Sequence, residues 1–588
     1  MKSRSWRSVK VLSIAFLVAA YAFGLTSPAH AANAPLLGTA TGTLSGSIST
    51  AQPFKAARVY ARNMDKNILY MVFTKDGAYR AINLMPGGYQ VWAEKDELRS
   101  PKEMLRVNAG DNEKLDLAMQ EGAPYALTQR KRAKPGVPQI TYDEMYPDGA
   151  GKKLAETTCI ACHGQAFLPR FHFGEAAWDA MIGIMLDPEA VTRSGTQRGA
   201  MITGDASVPG INPEERAVLA KYLADNFGPD SPDRVLRVDV EYPLDEDVLS
   251  KAMYVEYLAP LPPGADLSRN GAMTPFNHRM VDPKIGKDGN IWVTNGEIGV
   301  SMLDPRTGQY SHYPYPGRGI FGHGPAIDSE GFIFWAEFSG EHLGRLDPTT
   351  GKMDRFLIDE TRSIRDVQGH TPHVDSEGNV YFTVINGNKI AKWDRQTQTV
   401  SLWEALTPNS FPYGIDLDQN DNVYFAQLWG CNVGRFDPRT ENMTEFPALA
   451  QPCAMNRLAV DSKGIVWYSL VRPGLLGKLN PETGEQQEYV ILEAPPGSKI
   501  ATASPYGIMA DPDDNIWFGD TGLGATLIKF DQLTETFTYY PEPRIADNPN
   551  IDITREGAIV YTSRSSQQPA IGILFPDVSK MTTYGAYK

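Results

Sequence analysis

Short runs of alternating apolar and polar residues dominate residues 38–121. Arg58-Val-Tyr-Ala61, Tyr70-Met-Val-Phe73 and Tyr89-Gln-Val-Trp92 are three of them, and turns rich in glycine, proline and aspartate separate them. Alternation over four to eight residues is typical of half-buried β-strands. The pattern predicts a β-sandwich of about 80 residues.

Between residues 148 and 229 the apolar spacing becomes helical. Apolar residues recur at helical intervals from Glu175 to Met185 and again along Pro213 to Phe227. Asn212 can cap the second helix, and Pro213 takes its first position. The pattern predicts a small all-α domain, which a proline-bearing linker at residues 122–147 connects to the strands.

Residues 252–588 repeat a unit of four short strands. Seven copies can be counted, and they start near His278, His323, His370, Tyr413, Asn456, Tyr506 and Asn550. A four-stranded unit cannot bury both faces alone, so stacking in a ring is expected. The repeats predict a seven-bladed β-propeller, with Tyr254-Val-Glu-Tyr257 as a strand that closes the ring. The fold class is therefore multidomain and mainly β.

Residues 1–31 have the charged, apolar and small-residue order of a secretory signal peptide. Their apolar run is shorter than the ~20 residues of a spanning helix, and we expect no transmembrane segment after cleavage. The formal net charge is -14, and losing the four basic residues of the leader makes it -18. Such a surface repels nucleic acid. We expect a periplasmic protein without a nucleic-acid partner.

The stretch TTCIACHG, residues 157–164, carries the most specific motif. A zinc site would need two more ligands nearby, and a thioredoxin-like pair would sit at a strand-to-helix turn. One covalent haem c explains every part of the motif. Cys159 and Cys162 would form thioethers with the vinyl groups, and His163 would be an axial iron ligand.

Residues 148–229 resemble the cytochrome c domain on the strength of this motif and the helix PEERAVLAKYLADNFG. The sixth iron ligand stays open between two methionines. Met185 follows Trp178 in WDAMIGIML, a pattern similar to that of haem domains attached to quinohaemoprotein dehydrogenases. Met201 precedes the last helix, where many small cytochromes place their ligand. We favour Met185, with Met201 as the alternative.

The stretches TKDGAYRAINLMPGGYQVWAE and VNAGDNEKLDLAM, within residues 38–121, resemble the carboxypeptidase regulatory-like domain. This resemblance implies an immunoglobulin-like β-sandwich that serves as a spacer or interaction module.

Aligning the propeller repeats on their turns brings polar residues to equivalent positions. They stand five residues before each turn and comprise His323, His370, Tyr413, Asn456 and Tyr506. His278 enters the first blade similarly, and Glu337 ends the second strand of the next. Ring closure should gather these side chains at one channel mouth. Histidine and carboxylate together can ligate a divalent metal or act as acid and base.

The repeats PYGIDLDQNDNVYFAQ and HGPAIDSEGFIFWAE look like those of the virginiamycin B lyase (streptogramin lyase) family. Members are magnesium-dependent seven-bladed propellers that linearise a cyclic depsipeptide by elimination. The resemblance implies catalytic roles for His278, His323 and Glu337. A further family acid, two residues before the second histidine, is replaced by Phe321.

Cys431 and Cys453 complete the cysteine count. Both lie in links on the face of the channel mouth, in neighbouring blades. Because free thiols are uncommon in an oxidising compartment, we expect them to form a disulfide that staples those blades.

These features leave three functions open. The leading hypothesis is a haem c-linked oxidoreductase or electron-transfer protein. Its propeller would bind a small-molecule substrate, with a divalent metal at His278, His323, His370 and Glu337, and its haem would pass electrons to an acceptor such as another cytochrome. The alternatives are a metal-dependent lyase with an appended haem domain, and a non-enzymatic electron-transfer or binding protein.

Overall fold

The computed structural model describes residues 40–588 with several gaps. The gaps are residues 126, 129–136, 161–167, 187–211, 237–241, 261–278, 297, 318–319, 365–366, 452, 494–502, 522–524, 545–547, 549 and 564–567. The described residues belong to one compact unit, Leu36–Lys588. They are mainly β, with five α-helices among them. None of the described helices is both long enough and apolar enough to cross a membrane. The predicted leader lies outside the described residues.

The N-terminal region consists of ten strands. They are β1 Gly42–Ser49, β2 Arg58–Asn63, β3 Ile68–Phe73, β4 Ala78–Leu84, β5 Gly87–Lys95, β6 Leu98–Arg99, β7 Glu103–Val107, β8 Asn112–Lys114, β9 Leu117–Ala118 and β10 Gln120–Glu121. One sheet has the order β4-β1-β8, and β9 also pairs with β1. The other runs β10-β6-β5-β2-β3, with β7 on β5. Both sheets contribute to one apolar core that includes Leu44, Val59 and Val91.

The predicted linker is partly packed where it is described. The buried carboxylate of Glu94 accepts hydrogen bonds from the Tyr125 backbone nitrogen at 3.0 Å and from the Thr128 hydroxyl at 2.8 Å. The Tyr125 ring also meets Trp92 edge-on. This first part of the linker therefore belongs to the N-terminal sheet.

A short helical region follows. Its elements are β11 Gln139–Ile140, α1 Tyr142–Met145, α2 Lys152–Leu154, the π-helix Ala155–Ile160, the 3-10 turn Leu168–Arg170, α3 Glu175–Leu186, α4 Pro213–Phe227, β12 Val235–Leu236 and α5 Glu246–Leu249. The helices predicted from periodicity are α3 and α4, and both are confirmed. Asn212 and Glu215 form a capping box at the start of α4. An aromatic-rich cluster that includes Tyr146, Trp178 and Phe227 holds the region together.

Six blades consist of four consecutive antiparallel strands. Blade 1 contains β14 Met280–Ile285, β15 Ile291–Asn295, β16 Gly299–Asp304 and β17 Gln309–Pro314, and blade 2 contains β18 Phe321–Ile327, β19 Ile333–Ser339, β20 His342–Leu346 and β21 Met353–Leu357. Blade 3 contains β22 Gly369–Val374, β23 Val380–Val384, β24 Lys389–Trp393 and β25 Val400–Glu404, and blade 4 contains β26 Pro412–Leu417, β27 Val423–Gln427, β28 Asn432–Asp437 and β29 Asn442–Pro447. Blade 5 contains β30 Ala454–Val460, β31 Val466–Arg472, β32 Leu475–Leu479 and β33 Gln486–Val490, and blade 6 contains β34 Pro505–Ala510, β35 Ile516–Asp520, β36 Thr526–Asp531 and β37 Thr536–Pro541. These six blades are the repeats that the sequence predicts.

The seventh blade combines the two ends of the repeat region. Its strands are β38 Asp552–Ile553, β39 Ile559–Thr562, β40 Ala570–Phe575 and β13 Met253–Leu258. Strand β13 pairs antiparallel with β40, from Met253 opposite Phe575 to Leu258 opposite Ala570. The ring closure predicted for Tyr254–Tyr257 is therefore confirmed.

The outermost strand of blade 7, β13, has a paired strand on its outer side as well. Strand β13 also pairs antiparallel with β3, from Met253 opposite Val72 to Tyr257 opposite Ile68. The N-terminal sheet and blade 7 thus form one continuous ten-stranded sheet. All six residues of β13 are buried, which suits a strand with partners on both sides. The N-terminal region is part of the propeller's sheet structure, whereas a spacer would contact it little.

Candidate functional site

The inner strands of all seven blades end in equivalent turns. In each, a backbone N–H donates to the carbonyl four residues later. The first residues of these turns are Gly286, Asp328, Asp375, Asp418, Asp461, Asp511 and Thr554. Residues at the same distance before these turns therefore lie at the same height along the propeller axis. We distinguish a mouth layer five residues before the turn, a middle layer four before it and a turn layer two before it.

The mouth layer brings the predicted histidines and tyrosines together. The ring centroids of His323 and His370 are 3.8 Å apart, and those of His370 and Tyr413 are 4.0 Å apart. The hydroxyls of Tyr413 and Tyr506 are hydrogen-bonded at 2.5 Å. Phe338 contacts both imidazoles, with centroids 6.1 Å away. The layer is thus a compact aromatic group with two imidazoles at its centre.

His370 has the chemistry of a buried base. Its side chain is 0% exposed, and Nδ1 lies 2.7 Å from the Thr371 hydroxyl and 3.3 Å from the Tyr413 carbonyl oxygen. A carbonyl oxygen only accepts, so the tautomer that satisfies the Tyr413 carbonyl has its hydrogen on Nδ1. In that tautomer Nε2 carries a lone pair, and it has no hydrogen-bond partner among the described residues. Burial, with the charges of His323 and Arg457, holds the pKa of His370 well below its usual value.

The middle layer is crossed by an ion pair that links blades 1 and 5. The Arg457 guanidinium donates to Asp282 Oδ2 at 2.8 Å and to the Thr371 hydroxyl at 2.6 Å. The side chains of Arg457 and Asp282 are 3% and 1% exposed. Three other blades have glycine in this layer, at Gly324, Gly414 and Gly507. A Cβ on Gly414 would lie 2.8 Å from the Arg457 Cα. Small residues therefore leave room for the long arginine side chain to cross the axis.

Asp282 reaches the axis because its strand is irregular. The register of β14 on β15 shifts between Val281 and Lys284, and Asp282 has a φ of 50°. Such a bulge redirects side chains. Burial alone would raise the pKa of Asp282, but Arg457 and His323 outweigh it and hold that pKa well below its usual value. His323 Nδ1 lies 3.4 Å from Asp282 Oδ2, so the Arg457–Asp282 pair of the middle layer contacts the His323 imidazole.

The Glu337 carboxylate binds residues that do not belong to the mouth layer. Its buried carboxylate accepts two hydrogen bonds at 2.7 Å from Arg355, and His342 Nδ1 lies 3.5 Å from it. Both partners come from the outer strands of the same blade. The structure therefore pairs Glu337 with a cation, away from the stacked imidazoles of the mouth layer.

The predicted divalent-metal site is only partly described. Among the described residues, no group of three or more histidine, cysteine or acidic side chains could hold a metal ion. His278 lies outside the described residues. The carboxylate beside His323 is Asp282, and the cation bound to it is Arg457. The metal site at His278, His323, His370 and Glu337 therefore stays a prediction.

The predicted haem site also straddles a gap. Cys162, His163 and Met201 lie outside the described residues, and for Met185 only the backbone, within α3, is described. Cys159 lies in the π-helix Ala155–Ile160 and packs, partly buried, against the aromatic-rich helical cluster. An apolar, aromatic wall beside an attaching cysteine fits a haem, whose macrocycle needs to be shielded from water.

Cys431 and Cys453 are joined by a disulfide, with Cα atoms 5.5 Å apart. Cys431 lies between β27 and β28, and Cys453 directly precedes β30. The bridge therefore connects blade 4 to the start of blade 5, close in sequence to Arg457.

Sequence reasoning missed the middle layer. Asp282 and Arg457 lie one position beyond the aligned histidines and tyrosines. The signal was present in the repeats, because charged residues stand where the blades at Gly324, Gly414 and Gly507 have glycine. A charge at a position that faces the axis of a ring requires a partner across that axis.

Ring-stacked four-stranded sheets around a common axis define this region as a β-propeller. The virginiamycin B lyase family matches residues 274–527. The chain therefore contains a virginiamycin B lyase-like β-propeller.

Several solved structures are similar to part of this chain. A streptogramin B lyase structure is 19% identical with a TM-score of 0.46, over 55% of this chain and 97% of its own. Selenomethionine-substituted virginiamycin B lyase from Staphylococcus aureus is 18% identical with a TM-score of 0.45, over 51% and 95%. The WD40 propeller domain of Doa1 is 14% identical with a TM-score of 0.42, over 52% and 95%. A search of curated proteins found no match.

The neutral, buried His370 predicts a dependence of stability on pH. Below about pH 6.5 the unfolded chain binds a proton that the folded protein does not bind, so the folded state loses stability as the pH falls. His370→Gln removes this loss. Between about pH 7.5 and 5.5, the variant is expected to lose about 1 kcal/mol less free energy of unfolding than the wild type. Denaturant titration at both pH values measures this difference, and equal losses would contradict the neutral state of His370.

Proposed function

We propose that the protein is an exported c-type cytochrome whose propeller binds a small-molecule substrate and whose haem carries electrons between that substrate and another redox protein. The observation that carries the proposal is the Cys159-Ile-Ala-Cys-His163 motif, whose described cysteine packs against an aromatic helical cluster. Bound there, the haem would supply one-electron chemistry.

The mouth layer gives the propeller groups that can bind a substrate and accept a proton as the substrate loses electrons one at a time to the haem. The Nε2 lone pair of His370 can accept a proton from a bound substrate, and the low pKa keeps that lone pair available near neutral pH. The Tyr413 and Tyr506 hydroxyls can orient a polar group of the substrate by hydrogen bonding. Phe338 and the tyrosine rings offer apolar contact to its carbon skeleton.

Arg457 and Asp282 act as positioning residues in this proposal. Arg457 donates to Thr371, whose hydroxyl contacts His370 Nδ1, and Asp282 lies beside His323. The ion pair therefore holds both imidazoles from below and keeps a positive charge under the site. This charge also favours the neutral form of His370, and so its role as a base.

The lyase alternative receives less support. A lyase of the streptogramin type would use the Glu337 carboxylate, which is bound on both oxygens by Arg355. An electron acceptor such as another cytochrome remains the partner we propose, because a haem needs a redox partner to turn over.

Reduction of the haem by candidate substrates tests the proposal. The oxidised protein is mixed with small alcohols, aldehydes and phenols, and haem reduction is followed by absorbance. We expect one class to reduce the haem, and His370→Gln to slow that reduction about 100-fold, the typical contribution of general base catalysis. His312→Gln changes a histidine outside the mouth layer and should retain the wild-type rate. Equal rates in both variants would exclude His370 as the base.

A further inference from the structure

The turn layer forms a second polar site at the other end of the channel. Four of its members are polar, and they come from blades 1, 3, 4 and 7: Lys284, His373, Asp416 and Asp552. A small cavity opens here, lined by Lys284, His373, Asp416 and Asn550 together with apolar side chains such as Ile415 and Met509. Arg457 and Asp282 of the middle layer line this cavity too, whereas none of its lining residues belongs to the mouth layer.

Lys284 is the distinctive group of this cavity. Its side chain is half-buried, and no hydrogen bond or ion pair joins it to any residue in the described part of the chain. The bulge that turns Asp282 inward also sets the position of Lys284. A half-buried lysine whose neighbouring carboxylates are bound to other groups has the setting in which an amine serves as a nucleophile.

The carboxylates near Lys284 are committed to other partners. Asp416 accepts from His373 Nε2 at 3.0 Å and from the Val460 N–H at 2.9 Å. Asp552 accepts from the Ile285 N–H at 2.9 Å and from the Lys588 ammonium at 2.7 Å. Neither carboxylate accepts a hydrogen bond from Lys284.

Burial favours the neutral amine form of Lys284. It lowers the pKa of the Lys284 ammonium, and Lys588 lowers it further, whereas Asp552, Asp416 and Asp282 oppose that change. Each of these carboxylates is already bound to another basic side chain, namely Lys588, His373 or Arg457. A neutral amine reacts with an electrophilic carbonyl group.

The volume of the cavity limits the ligand to a few atoms. It measures about 30 Å³, which is room for roughly two water-sized groups. Formaldehyde and acetaldehyde are of this size, whereas an aromatic aldehyde is far larger.

From this cavity, its amine and its acid–base pair, we propose that the turn end of the propeller is a site for short neutral aldehydes, with Lys284 as the nucleophile. The amine nitrogen attacks the carbonyl carbon, and a C–N bond forms. The nitrogen loses its protons and the carbonyl oxygen leaves as water, which gives an imine without any oxidant or reductant. The His373–Asp416 pair can donate and accept the protons of this dehydration.

This site does not depend on the proposed electron-transfer function, since no mouth-layer residue lines its cavity. The experiment uses the full mature protein and acetaldehyde, with cyanoborohydride to trap the imine as an ethylated lysine. Peptide mapping by mass spectrometry then gives the rate of ethylation at each lysine. Exposed Lys66 serves as the internal reference.

We expect Lys284 to be ethylated faster than Lys66 at neutral pH, because burial lowers the pKa of Lys284 and leaves more of its amine unprotonated. His373→Gln should slow labelling at Lys284 and leave Lys66 unchanged. Benzaldehyde should label Lys66 and spare Lys284. Labelling of Lys284 no faster than Lys66 would overturn the proposal, as would equal labelling of Lys284 by the small and the bulky aldehyde. Because these comparisons use wild-type protein, they hold even if a Lys284→Met variant fails to fold.

Discussion

Replacing Arg457 with methionine is expected to lower the free energy of unfolding by about 3–5 kcal/mol, the usual loss when one partner of a buried ion pair is removed. Asp282 would keep its charge in a site where its side chain is 1% exposed. Thr371 would lose its guanidinium donor at the same time. Guanidinium chloride denaturation, followed by tryptophan fluorescence, measures this loss.

An exposed ion pair between blades provides the matched control. Arg395 and Glu330 join blades 2 and 3, with side chains 38% and 52% exposed. Arg395→Met should cost no more than about 1 kcal/mol, because solvent screens such pairs. Combining Arg457→Met with Asp282→Asn should recover part of the lost free energy of unfolding, because it removes the unpaired negative charge of Asp282. Equal losses for Arg457→Met and Arg395→Met would show that the axial pair contributes nothing special.

The second large effect is expected from proline in the strand that joins the N-terminal sheet to the propeller. Met71 lies in β3, opposite Tyr60 in β2 and Tyr254 in β13. Proline removes a backbone donor and is not tolerated between two paired strands. Met71→Pro should cost about 3 kcal/mol or more. Because β13 is also the outer strand of blade 7, amides of β40, Ala570–Phe575, should exchange faster with deuterium.

Met104→Pro is the control for this effect. Met104 is 64% exposed and lies in β7, an edge strand that pairs only with β5. Proline is tolerated far better on an edge, so this change should leave the exchange of Ala570–Phe575 unaltered. If Met71→Pro also left that exchange unaltered, the N-terminal region would be a spacer that does not support blade 7.

Local sequence patterns predicted the elements of this fold well. Turns such as Asp418-Gln-Asn-Asp421 fixed the repeats, and Asn212 with Glu215 marked the start of a helix. These signals are local because a turn or a cap is made by residues that are close in the chain. The closure of the ring by Tyr254–Tyr257 could also be predicted, since a blade with three strands lacks an outer partner.

The contacts that organise the site join residues that are far apart in the chain, and local sequence patterns do not indicate them. The mostly apolar residues of β13 indicate a buried strand, but they do not identify β3 as its neighbour. Asp282 and Arg457 are 175 residues apart, and only the closed ring brings them together. The spacing of Glu337 from His323 matched a family pattern, but it did not indicate that Arg355 binds the Glu337 carboxylate.

Covalent attachment of haem tests the central claim most directly. The mature chain is produced in a host that matures c-type cytochromes, then denatured and extracted with acid–acetone. The account predicts that Soret absorbance remains with the polypeptide, and that Cys159→Ser combined with Cys162→Ser abolishes it. A wild-type polypeptide that loses all Soret absorbance in this extraction would contradict the account.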